Sequence, residues 1–215
     1  TQGVSSAASD VYKRQIIKYD MSKDFQDKAI SCIEHICNQL NVFNKRIPNS
    51  PIVSFWNIDD DGRRLYDCPE FKDYLTFVKP HIQDYLKELE LPLDEAMVTA
   101  MWGVHYKTGQ YVRRHQHTYN DYKKSPHKFT TPYDVFAVLL YLNKPEHSGN
   151  LFIETPDGIQ KEIDMQPGDV IMFPSMQYHW TSPNKSQESK YVVGIEIIMK
   201  WSTDDELIGK PLGEL

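Results

Sequence analysis

Apolar residues follow a helical period early in the chain and an alternating one later. Phe25, Ala29, Cys32 with Ile33, Ile36 and Leu40 recur at three- and four-residue steps, which predicts an amphipathic helix from Ser22 to about Leu40. Ser22 can cap it, and Asp24 and Asp27 suit its first turns. A second stripe, Phe71, Leu75, Val78, Ile82, Leu86 and Leu89, predicts a helix from about Pro69 to Leu89, kinked or split at Pro80. From Ala96 the pattern shortens. Strands are expected at Val98–Tyr106, Tyr111–His117, Val135–Leu142, Leu151–Glu154, Lys161–Ile163, Asp169–Phe173 and Lys190–Met199. Turn signals such as Lys107-Thr-Gly109, Pro156-Asp-Gly158 and Pro167-Gly168 separate them. Many short strands at near-regular spacing point to a jelly-roll or barrel-like double sheet preceded by helices.

Composition bounds this picture. With 215 residues, 40% hydrophobic and 25% charged, the chain can bury one sizeable core. A net charge of −6 argues against a broad nucleic-acid-binding face. No apolar run is long enough for a membrane helix. Three cysteines, Cys32, Cys37 and Cys68, are too few and too odd for a disulfide scaffold, and fit a reducing cytoplasm. Cys32 and Cys37 read as small core hydrophobes. The string Asn57-Ile-Asp-Asp-Asp61-Gly62 copies the start of a calcium loop, but the position of its bidentate Glu is Cys68. It reads as a turn. The expected organisation is a non-native or disordered leader over 1–15, a helical support region over 16–95, a β core over 96–202 and a tail over 203–215, forming one domain overall.

The chemistry concentrates in Arg113-Arg114-His115-Gln116-His117. On a strand, residues two apart share a face, so His115 and His117 can reach one metal ion. His179 supplies a third imidazole. Imidazole suits Fe, Zn, Cu and Ni alike, so the ligand type alone does not choose the metal. Around these lie Tyr106-Lys-Thr-Gly109, Tyr141-Leu-Asn143, Ser148-Gly-Asn-Leu-Phe152, Pro167-Gly-Asp169 and Lys190, in that order.

In this ordered set the sequence resembles the Fe(II)- and 2-oxoglutarate-dependent oxygenases, most closely the prolyl-hydroxylase-like branch and related phage and bacterial putative oxygenases. The resemblance runs from about Trp102 to Trp201. It implies a double-stranded β-helix and a hydroxylase that decarboxylates 2-oxoglutarate to succinate, using Fe(II) and O2. It places His115 and His179 at the two histidine positions of the iron site. It places Lys190 opposite the far carboxylate of 2-oxoglutarate, and Tyr106 and Tyr141 at positions that hydrogen-bond the co-substrate. The family's usual carboxylate ligand is His117 here. Asp121 lies four residues on and could substitute, with Asp134 and Glu154 more distant; the i, i+2 geometry favours His117. The primary substrate is not written in the sequence; the Lys-containing segment 120–131 reads either as a lid over the substrate or as a solvated connection. Two other readings stand beside this one. The first is a three-histidine cupin-type metalloenzyme that does not use 2-oxoglutarate, in which Lys190 has no role. The second is a non-catalytic ligand-binding barrel.

Overall fold

The computed structural model describes residues 14–40, 49–53, 65–117, 135–155, 157–174, 177–199 and 210–215. Helix α1 (Lys23–Leu40) starts as expected, with the Phe25 amide donating to Ser22 Oγ at 3.1 Å. Helix α2 (Lys72–Glu88) follows a short 3-10 turn over Pro69–Phe71. Pro80 does not split α2, which runs from Lys72 to Glu88 as one helix. Pro80 and Thr76, whose carbonyl loses its usual partner, both stand on the exposed face, where water can take that bond. The opposite face, including Tyr74, Val78, Ile82 and Leu86, is buried.

All strand pairs are antiparallel. The larger sheet contains β1 (Gln15–Lys18), β2 (Ile52–Val53), β3 (Ala96–Tyr106), β4 (Val135–Tyr141), β7 (Asp169–Pro174), β9 (Lys190–Met199) and β10 (Lys210–Pro211). Its order is β1-β7-β4-β9-β3-β10, with β2 also paired to β3. The smaller sheet has the order β6-β5-β8, made of β5 (Leu151–Glu154), β6 (Gln160–Ile163) and β8 (His179–Thr181). Several expectations are corrected here. Gln15, the last residue of the expected leader, belongs to β1, which pairs along β7. The end of the expected tail is also built in, as β10 pairs with β3. His179 is the first residue of β8. The expected strand over Tyr111–His117 is irregular and touches β8 through a single bridge between His115 and His179. The calcium-like loop, Asp121, Asp134 and the 120–131 segment lie outside the described residues.

The helices cover one face of the large sheet and the small sheet faces the other. Alternation along β9 shows how. Tyr191, Val193, Ile195 and Ile197 join the core beneath the helices, whereas Val192 joins the core between the sheets. On β3 the parity changes midway. Ala96, Val98 and Met101 belong to the helix side, and Trp102, Val104 and Tyr106 to the inner side. A bulge between Val98 and Ala100 inserts the extra residue, Thr99, that makes this possible. Without it, every later side chain of β3 would face the opposite layer. Burial shields Cys37 beneath the helices and pushes its thiol up to about 12, which fits a packing role.

Candidate metal centre and active-site cavity

His115, His117 and His179 meet at one end of the space between the sheets, with one ligand atom from each within 4.8 Å of the others. Their ring centroids lie 4.2–5.2 Å apart. The backbone bridge sets two of them. The His115 amide donates to the His179 carbonyl at 3.0 Å, and the His179 amide returns the bond at 2.8 Å. Further along, the Thr181 amide donates to the Val112 carbonyl. The histidine segment is therefore tied to β8 even though it forms no regular ladder.

Two of the imidazoles are also oriented from behind. Nδ1 of His115 lies 2.8 Å from the Arg113 carbonyl, and Nδ1 of His179 lies 2.8 Å from the Gln177 carbonyl. A carbonyl only accepts, so both protons sit on Nδ1 and both Nε2 lone pairs are left for a metal. Nδ1 of His117 is 3.2 Å from Oε2 of Glu196, although its N–H is not aligned on that oxygen. The Nε2 atoms of His115 and His117 are 3.2 Å apart. Two ligands bonded at about 2.1 Å and a right angle to each other would be separated by about 3 Å. The donor set and its spacing fit a divalent transition metal.

Electrostatics point the same way. Burial holds the His179 imidazole well below the ordinary histidine range, and His115 and His117 add to the effect. Burial also lowers His115, partly opposed by its bond to Arg113. Neutral imidazole is the form that binds metal.

A cavity of about 300 Å³ opens beside the histidines, walled by Trp102, Val104, Tyr106, Leu139, Tyr141 and Val192. Arg113 and Trp180 also line it. Trp102 lies 6.1 Å from His117, centroid to centroid. Its indole occupies the place where residue 194 would carry a side chain. A Cβ there would stand 2.3 Å from Trp102 Cε2, so the position needs glycine.

Lys190 is fully buried behind two of these wall residues. Its Nζ lies 4.4 Å from the Tyr106 ring and 5.9 Å from the Tyr141 ring, and it donates to the Gly149 carbonyl at 3.2 Å. Gly149 adopts a φ of +81°, and a Cβ there would meet the Ser182 carbonyl at 2.2 Å, so only glycine presents that carbonyl. Among the described residues no carboxylate pairs with Lys190. Burial, reinforced by Lys144, lowers its pKa to about 7. Tyr106 and Tyr141 are raised by burial and stay protonated, able to donate a hydrogen bond.

Every residue assigned to the site from sequence is thus brought to one cavity or its wall: His115, His117, His179, Lys190, Tyr106 and Tyr141. Glu154 is not brought there, since both its oxygens are held by Arg114 at 3.1 and 2.8 Å. Glu196 was missed. The signal for it was present as the single acidic residue in the apolar run from Tyr191 to Met199, on the same strand face as Lys190.

Comparison with known proteins bears on the fold that carries this site. Residues 101–195 match the family model described as the 2OG-Fe(II) oxygenase superfamily. No curated protein matches the chain. Among solved structures, a Pseudomonas putida prolyl-4-hydroxylase is 14% identical with a TM-score of 0.60, covering 91% of this chain and 100% of its own. The viral collagen prolyl hydroxylase of Paramecium bursaria Chlorella virus-1, in a 2-oxoglutarate complex, is 17% identical with a TM-score of 0.56, covering 86% and 95%. HygX from Streptomyces hygroscopicus, with nickel and 2-oxoglutarate bound, is 11% identical with a TM-score of 0.55, covering 91% and 86%. At these identities the likeness shows the fold, a double-stranded β-helix. The matching family model spans β3 to β9, so the segment 101–195 is similar to the 2OG-Fe(II) oxygenases.

Proposed function

We propose that the protein is a 2-oxoglutarate-dependent hydroxylase whose iron is held by Nε2 of His115, His117 and His179, with Lys190 as the anchor for the co-substrate. The observation that carries this reading is a buried lysine with no carboxylate partner among the described residues, placed behind the wall of a cavity that also holds three converging imidazoles. A buried ammonium is costly unless paired. The far carboxylate of 2-oxoglutarate supplies the pair, as a charge-assisted contact in a dry site. Of the similar structures, the viral prolyl hydroxylase is solved as a 2-oxoglutarate complex and HygX with nickel and 2-oxoglutarate bound.

When bound, Fe(II) supplies oxygen activation coupled to decarboxylation of 2-oxoglutarate to succinate. The chain's own residues do the rest. The carbonyls of Arg113 and Gln177 hold two imidazoles in the metal-binding tautomer. Tyr106 and Tyr141 donate to the co-substrate from the cavity wall, and Tyr106 is steadied by Thr181. Trp102, Val104 and Val192 exclude water. Arg113 and Trp180 border the opening through which an unidentified primary substrate enters.

The functional unit is the segment 96–202, supported by the helices before it. Among the described residues no helix is long and apolar enough to cross a membrane, and the low cysteine count fits the cytoplasm. The deciding experiment adds 2-oxoglutarate to anaerobic Fe(II)-loaded protein. A metal-to-ligand absorption band supports this reading. Retained metal with no band and no 2-oxoglutarate turnover refutes it in favour of the three-histidine cupin chemistry.

A further inference from the structure

The site has an unusual charge balance. Three neutral imidazoles bring no negative charge to a divalent ion, where a carboxylate at position 117 would bring one. A carboxylate nevertheless lies directly behind His117. Oε2 of Glu196 is 3.2 Å from His117 Nδ1. Its other oxygen, Oε1, accepts from the Thr99 hydroxyl at 2.9 Å. Thr99 is the bulge residue that reverses the parity of β3. The same bulge that turns Trp102 and Tyr106 into the cavity thus brings a hydroxyl onto Glu196. Both side chains of the His117–Glu196 pair are largely covered, at 16% and 15% exposed. No lysine or arginine among the described residues neutralises Glu196. A carboxylate in these surroundings, tethered on one oxygen and with the other 3.2 Å from an imidazole nitrogen whose N–H has no other partner, is poorly explained by packing alone.

We infer that Glu196 is a positioning residue for the metal: it holds the Nδ1 proton of His117, directs the His117 Nε2 lone pair at the ion, and returns the negative charge that this three-histidine set lacks. The inference rests on the ligand assignment proposed above. A carboxylate behind a ligating histidine fixes its tautomer and raises its basicity, and removing such a partner costs about 10–100-fold in metal affinity. Glu196 acts through His117 and touches neither metal nor substrate. Thr99 in turn restrains Glu196.

The test uses Co(II) alone as the probe, titrated anaerobically into wild type, Glu196→Gln, His117→Asp and the double variant. Affinity and the visible ligand-field spectrum are read together. Glu196→Gln keeps the size of the side chain and loses its charge. It should weaken Co(II) about 10–100-fold and shift the ligand-field bands. With Asp at position 117 the charge is already on the ligand, so adding Glu196→Gln should then cost less than about threefold. Unchanged affinity and spectrum in Glu196→Gln overturn the inference. So does an equal loss in both backgrounds, which would make Glu196 a packing residue only. Wild type that retains no Co(II) overturns the three-histidine assignment itself, and Glu196 with it. If Glu196→Gln does not fold, Thr99→Val carries the test. It frees the carboxylate while keeping its charge and should still lower Co(II) affinity by at least about threefold, and unchanged binding overturns the inference.

Discussion

Replacing Lys190 by methionine separates the cost of the buried charge from its use. The ammonium has a folded pKa of about 7 against an ordinary 10.5. At about 1.4 kcal/mol per pH unit, keeping it charged inside the free protein costs roughly 5 kcal/mol below pH 7. The sign follows from proton counts. Between pH 7 and 10.5 the unfolded chain holds this proton and the folded chain does not, so stability rises with pH across that window and the full cost applies below it. Methionine matches the length of the side chain without the charge, which limits any cavity penalty. The free Lys190→Met protein should therefore be more stable than wild type at pH 6, by up to a few kcal/mol, and that margin should shrink by about 1.4 kcal/mol per pH unit between pH 7 and pH 9. Affinity for 2-oxoglutarate should move the other way. Losing one partner of a buried ion pair costs about 3–5 kcal/mol, at least a hundredfold in binding. Thermal unfolding at the two pH values gives the first quantity. Calorimetric titration of 2-oxoglutarate into Mn(II)-loaded protein gives the second. Titration at pH 8 in buffers of different ionisation enthalpy adds a third, since wild type should take up close to one proton on binding and the variant none. A variant that is less stable at pH 6 and binds 2-oxoglutarate within about threefold of wild type would refute the reasoning.

His179→Ala should leave the fold largely intact and abolish retained iron, measured by emission spectroscopy on folded protein; undiminished iron would remove His179 from the ligand set. His117→Ala should weaken iron, whereas His117→Asp should keep it, because a carboxylate from the same position reaches the same ion. Stability of the metal-free protein should fall as pH drops below about 6.5. There the unfolded chain protonates its histidines while burial keeps His115 and His179 neutral in the fold. The slope should shrink in His179→Leu, and unfolding midpoints between pH 5 and 8 would show it. Gly194→Ala should cost about 1–3 kcal/mol and change tryptophan fluorescence, because its Cβ would stand 2.3 Å from Trp102 Cε2. A variant with native stability and an unaltered spectrum would contradict that contact.

Much of the β core was legible because inner strands carry long apolar signals. The expected Leu151–Glu154 and Lys190–Met199 match the structure to the residue. The short pieces were not legible. β1, β2 and β10 span four, two and two residues and exist because a longer neighbour pairs with them, a tertiary effect with no local pattern. Tyr111–His117 reads as a strand by alternation, yet its backbone bonds are spent on a single bridge and on cross-links to β8. The histidines remained findable because their chemistry is written in residue type. Glu196 was not, since its meeting with His117 depends on the bulge at Thr99, and a one-residue insertion in a ladder leaves no mark on composition or period.

Strand β9 lies between β3 and β4 and is bonded along most of its length on both sides. It carries Lys190 at one end and Glu196 six residues later on the same face, about 20 Å apart at strand spacing. The two charges of the site are therefore graduations on one ruler. A one-residue insertion in β9 would turn one of them toward the helices while leaving the other in place. An insertion in a loop at the cavity mouth would move neither. Inheritance can then vary the cavity mouth without moving Lys190 or Glu196, because the freedom to change and the need to stay constant sit on different parts of the chain.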